Sequence, residues 1–150
     1  MDEREEISRL LQDFIEAVEH TDWESPMGIM NFFPNGCCTV ASFAFGNLLQ
    51  DRGFGDWRIV NGSAGDMSNH DWLESANGWI VDSTCHQFQF GIDPFVAETG
   101  PSPMAVHFPP KQFIELSEWT LAHRVVYGVI VTQMAQIAEA RESGDESLRR

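Results

Sequence analysis

The chain has 150 residues, a formal net charge of −14 from 23 acidic and 9 basic side chains, and a hydrophobic content of 43% that includes 11 Phe and 5 Trp. This length and apolar share suit one domain (1–150) with a real core and argue against intrinsic disorder except at the termini. The acidic surface repels phosphate backbones, which speaks against a nucleic-acid partner.

The longest apolar run, 125–131, includes Gly128 and falls well short of the roughly 18 residues a membrane span needs. The first six residues, Met1-Asp2-Glu3-Arg4-Glu5-Glu6, are acidic where a signal peptide is basic. The expectation is therefore a cytoplasmic protein with no membrane partner; its oligomeric state is left open.

Residues 3–20 place Ile7, Leu10, Leu11, Phe14, Ile15 and Val18 at helical spacing, with acids between them. Residues 21–36 form a loop with Pro26, Gly28, Pro34 and Gly36. Its Trp23, Phe32 and Phe33 either plug the core or line a groove. A second helix is predicted from about 38 to 52, with Cys38, Ala41, Phe45, Leu48 and Leu49 on one side and Val40, Phe43, Ala44 and Asn47 covering much of the rest. An all-round apolar helix of this kind lies buried between layers. Gly53 caps it.

Trp57 to Asn61 is strand-like, and 62–68 is a polar loop. Two strands, 69–75 and 79–84, joined through Ala76-Asn77-Gly78, predict a hairpin. Pro94, Pro101 and Pro103 interrupt the next segment, and 104–108 is a further edge-strand candidate. Composition suggests a strand over 124–132 and a helix at least from Gln133, with a frayed tail over 142–150.

The cysteines carry the chemistry. Three in a chain of this kind fit reduced thiols better than a disulfide framework. Adjacent Cys37-Cys38 and the tight Cys85-His86 lack the spacing of a zinc half-site, so no metal is expected. Phe33-Pro34-Asn35-Gly36 is a turn that runs into the second helix and sets a cysteine in its first turn. Helix N-termini present unpaired N–H groups that favour an anionic sulfur and can bind an oxyanion.

On the strand 69–75, alternation points His70, Trp72 and Glu74 to one face. A two-residue Asn-Gly turn would send Asp82 to the other face. A three-residue loop with Gly78 in the left-handed region makes His70 and Asp82 diagonal neighbours instead, with the carboxylate on Nδ1–H. The three-residue loop is the expectation. With Cys38 on the buried helix packed against that face, Cys38, His70 and Asp82 compose a nucleophile, base and orienter, and no cofactor is needed. Taken singly, each has an ordinary explanation as core filler, structural histidine or turn cap; their order and compatible placement argue for the triad. Cys85 is read as core, and His20, His86, His107 and His123 as surface or satisfied groups. Trp72 and Glu74 are read as supports, the indole shielding the site and the acid reaching a backbone group or Arg58. The backbone N–H of Cys38 is one oxyanion donor; Asn35 or a loop backbone group is a candidate for the second.

Gly36-Cys37-Cys38, Leu48-Leu49, Gly53, His70-Asp71-Trp72-Leu73-Glu74 and Gly78-Trp79-Ile80-Val81-Asp82-Ser83-Thr84 together resemble the transglutaminase-like (papain-like) core. That family shows a Gly-x-Cys, a leucine pair ten and eleven residues on, a glycine at fifteen, then His-x-Trp-x-Glu and Trp-x-x-x-Asp-Pro-Thr-like strands. The leucines and glycine fall in register from Cys38 and one residue out from Cys37, which favours Cys38. The resemblance spans about 33–90. Ser42 stands where alanine is common, Asp71 where a small residue is usual and Ser83 where proline is usual.

It implies an α+β fold with a central Cys-bearing helix on a small antiparallel sheet, flanked by N- and C-terminal helices. It also implies a cysteine-dependent hydrolase acting on amide or peptide bonds of a peptide or protein substrate through a thioester. A transglutaminase or deamidase acting on glutamine side chains, or a catalytically silent binding module, shares the same fold.

Overall fold

A computed structural model describes residues 2–65, 68–98 and 100–144. The fold is α+β, with three α-helices and one antiparallel five-stranded sheet.

Helix α1 (Glu3–His20) is capped by Asp2, whose carboxylate accepts the Glu5 N–H at 2.9 Å, and its acidic first turn suits the positive end of the helix dipole. It buries Ile7, Leu10, Leu11, Phe14, Ala17 and Val18, and Ile15 is half-buried. Helix α2 (Cys38–Asp51) is apolar on every side and lies between the sheet and the other helices. Gly53, just beyond it, takes the left-handed φ of +83° that a helix end favours.

The strands are β1 (Trp57–Ser63), β2 (Asn69–Ser75), β3 (Trp79–Asp82), β4 (Phe95–Glu98) and β5 (Pro110–Glu115), in sheet order β4-β3-β2-β1-β5. Their register sorts side chains onto two faces. Val96, Val81, Leu73, Ile59 and Ile114 align across the five strands and pack against the helices. Val60, Trp72 and Ile80 face the other way, into a smaller core with Cys85, Met104 and Phe108. That second core is closed by the irregular chain around β4.

Helix α3 (Leu121–Ser143) replaces the strand expected over 124–132. Thr120 and His123 form a reciprocal capping box at its start, and Gly144 ends it at φ +77°. Val126, Ile130, Ile137 and Ala140 share its buried face. Burying such side chains is worth about 1.5–3 kcal/mol each, against a few tenths of a kcal/mol for the weak helix preference of Val and Ile.

The edge strand expected at 104–108 is instead a 3-10 turn, Pro103–Val106, capped by Ser102 Oγ on the Met104 N–H at 3.0 Å. Strands β4 and β5 fall in the region where the prolines suggest interruption: β4 begins just after Pro94, and β5 opens with Pro110 at the sheet edge, where a missing donor does no harm. Strand β1 runs two residues into the loop expected at 62–68, of which 66 and 67 lie outside the described residues, as do 145–150 of the tail. No helix among the described residues is long and apolar enough to cross a membrane.

Candidate active site

The site is set by the β2–β3 turn. Leu73 pairs with Val81 and Glu74 with Ile80, so Ser75 meets Trp79 and the loop is Ala76-Asn77-Gly78. Gly78 has φ +93° and donates its N–H to the Ser75 carbonyl at 3.1 Å. Ser75 Oγ accepts from the Trp79 N–H at 2.9 Å and the Asn77 N–H at 3.2 Å. This three-residue register puts His70 and Asp82 on one face.

The two side chains meet with His70 Nε2 and Asp82 Oδ2 2.7 Å apart, both fully buried. The carboxylate was expected on Nδ1; it takes Nε2 instead. From a diagonal position two residues along the neighbouring strand, it meets the far edge of the ring. Asp82 Oδ1 in turn accepts the Thr84 N–H at 3.1 Å. The imidazole is walled by Phe88 edge-on at 5.0 Å, Phe108 at 5.7 Å and Trp72 at 6.0 Å between ring centroids.

Cys38 opens α2 and is half-buried. The first turn of the helix is tied to the start of β2: Thr39 Oγ1 donates to Asp71 Oδ2 at 2.6 Å, and Asn61 Nδ2 donates to Asp71 Oδ1 at 2.6 Å. Gln112 Nε2 extends the chain to Asn61 Oδ1 at 3.4 Å. Strand β3 stops at Asp82, two residues short of the end expected. Helix α2 packs on the Leu73–Val81 face of the sheet and not, as expected, on the face of His70 and Asp82, because its apolar side meets the aliphatic side chains there; from its start, Cys38 still influences the imidazole.

Burial depresses the basicity of the imidazole and is the largest influence on it. The hydrogen bond to Asp82, with the charge of Asp82 and the influence of Cys38, outweighs burial and raises the His70 pKa to about 9. Nδ1 is buried without a hydrogen-bond partner, and the Cys38 sulfur meets Thr39 Oγ1 at 4.0 Å.

The neighbouring thiol behaves differently. Cys37 is fully buried, donates to Asn35 O at 3.3 Å and Ile29 O at 3.6 Å, and burial pushes its pKa to about 11. Cys85 lies in the second core, its pKa raised mainly by burial.

The remaining aromatic and polar candidates take up structural roles. Trp23 is core, donating its indole N–H to Val18 O at 3.1 Å; Phe32 is exposed; Phe33 packs edge-on against His86 at 5.7 Å. Glu74 accepts the Trp72 indole N–H at 3.2 Å, whereas Arg58 stacks over Phe113 at 3.5 Å. His107 stacks on Phe90, and His123 caps α3 and stacks on Phe43. Asn35 is exposed, and its carbonyl serves Cys37.

Among the described residues no group of three or more His, Cys, Asp or Glu side chains is arranged to hold a metal ion. A cleft lined by Leu10, Asp13, Arg52, Met134 and Arg141 lies between helices, away from His70, and has no arrangement of nucleophile and base. The sequence pattern does not reveal the Thr39–Asp71–Asn61 link, although Asp71 stands out there as an unusual residue in its motif.

No protein-family model matches this chain. No curated protein matches it significantly. No solved structure does so either.

Proposed function

We propose that this protein is a cysteine-dependent hydrolase of the transglutaminase-like type, acting on amide or peptide bonds of a peptide or protein substrate. The observation that supports it is the buried His70–Asp82 pair, whose remaining ring nitrogen is left for the Cys38 sulfur at a helix start.

In the proposed cycle the proton of the Cys38 thiol passes to His70 Nδ1, while Asp82 holds Nε2–H and supports the imidazolium. The sulfur attacks the carbonyl carbon, and the C=O electron pair moves onto oxygen. When the carbonyl re-forms, the C–N bond breaks and the departing nitrogen takes the proton from Nδ1, leaving a thioester. Water then attacks the thioester and gives a proton to His70; the C–S bond breaks, the carboxylic acid leaves and the thiol is restored. As the first helical residue, Cys38 has an N–H with no intrahelical acceptor, which serves the oxyanion.

Iodoacetamide labelling near neutral pH, read by peptide mass spectrometry, tests the reading. Cys38 should react at least about tenfold faster than a simple thiol, and His70→Ala should remove the advantage. Labelling at the rate of an ordinary thiol would overturn the proposal. Incubation with peptide libraries, with a search for an acyl adduct on Cys38, then identifies the substrate; incorporation of added amines would redirect the assignment to transfer.

A further inference from the structure

We infer that Gln87 supplies the second oxyanion donor of this site, through its side-chain Nε2–H. The inference rests on the hydrolase reading and deepens it. Gln87 belongs to the short 3-10 turn Cys85–Gln87 that comes after Asp82. Its two flanking residues locate it: His86 touches Phe33 on the loop before the cysteines, and Phe88 touches the His70 ring. Gln87 thus sits between the loop that delivers Cys38 and the imidazole that serves it.

The amide is oriented by a backbone group. The Gly36 N–H donates to Gln87 Oε1 at 3.3 Å, two residues before Cys38. A backbone N–H can only donate, so the atom facing Gly36 is the oxygen and the atom facing away is the NH₂. That Nε2 is buried and has no hydrogen-bond acceptor. A buried amide nitrogen with no partner costs about 1–3 kcal/mol until an acceptor is supplied. A tetrahedral oxyanion formed on the carbon bound to Cys38 sulfur supplies the missing acceptor, alongside the Cys38 backbone N–H. Asn35, the candidate named from sequence, is exposed on the same loop and offers its carbonyl to Cys37.

The test separates addition to a carbonyl from simple nucleophilicity. Acylation by p-nitrophenyl acetate passes through an oxyanion, and its leaving group needs no proton from His70. Alkylation by iodoacetamide displaces iodide at a saturated carbon and forms no oxyanion. Gln87→Ala should slow Cys38-dependent acylation about 10²-fold, as loss of one such donor does elsewhere, and leave alkylation within about twofold of wild type.

Gln87→Glu keeps the shape and the acceptor for Gly36 but replaces the donor with an oxygen, so it should fail like the alanine variant. Full acylation in either variant would overturn the inference. So would an equal loss of acylation and alkylation, which would mark Gln87 as scaffolding for the loop. A wild-type protein with neither fast alkylation nor acylation would overturn the hydrolase reading, and this inference with it.

Discussion

The two faces of the sheet are built on different terms. On the helix side, regular elements meet through the ends of aliphatic side chains. A Cβ added at Gly46 of α2 would come within 2.6 Å of Leu116 Cδ2 and 3.0 Å of Leu73 Cδ2, atoms that can swing aside. On the other side, irregular chain lies directly on a strand. A Cβ added at Gly62 of β1 would stand 2.1 Å from the backbone oxygen of Phe108, whose ring walls His70. The helix side therefore tolerates adjustment, and the side that carries the imidazole is fixed backbone against backbone. Apolar bulk builds the first; position builds the second.

The largest effect expected from breaking this contrast is at the buried pair. Asp82→Ala leaves the His70 Nε2 and the Thr84 N–H without their acceptor, and should cost about 3–5 kcal/mol in urea unfolding, with Cys38-dependent acylation down at least about 10²-fold. Unaltered stability would show that the pair is not a structural element of that face.

Next comes the glycine comparison. Gly62→Ala should cost about 3 kcal/mol, because backbone has to move, whereas Gly46→Ala gains helix preference and should stay within about 1 kcal/mol of wild type. Equal costs would erase the distinction between the faces.

The wild-type protein offers a milder test by pH. Asp82 and Cys38 raise the His70 pKa from 6.5 to about 9, so the folded chain retains a proton that the unfolded chain releases. The associated stability is complete below pH 6.5 and is lost as pH rises through 9. Urea midpoints should fall across that window and flatten in Asp82→Ala. The smallest effect is expected for Thr39→Val, which removes one hydrogen bond to Asp71. It should cost about 1 kcal/mol and slow Cys38 labelling slightly.

Legibility in the sequence divides along the same line. Period and capping reveal α1, α2 and the β2–β3 hairpin, and the Gly78 loop is enough to put His70 beside Asp82. The helix over 121–143 is hidden because Val125, Val126, Val129, Ile130 and Val131 are β-branched; burial of Val126 and Ile130 against the other helices decides the state, while Val125 and Val129 stay exposed. The segment 84–109 is illegible for a different reason. Its shape depends on contacts distant in sequence, such as Gly36 with Gln87 and Gly62 with Phe108, which no local pattern encodes. Nor does the hairpin register alone specify which ring nitrogen Asp82 holds.

The placement of the three thiols has a practical consequence. Two of them are sealed in the interior with their ionisation suppressed, while one stands half-open beside an imidazole. On the hydrolase reading proposed above, reagent consumed in the first seconds of an alkylation trace would count competent molecules in an unmutated sample, one equivalent for each. On that reading the chain would carry its own internal standard for how much of any preparation is correctly assembled.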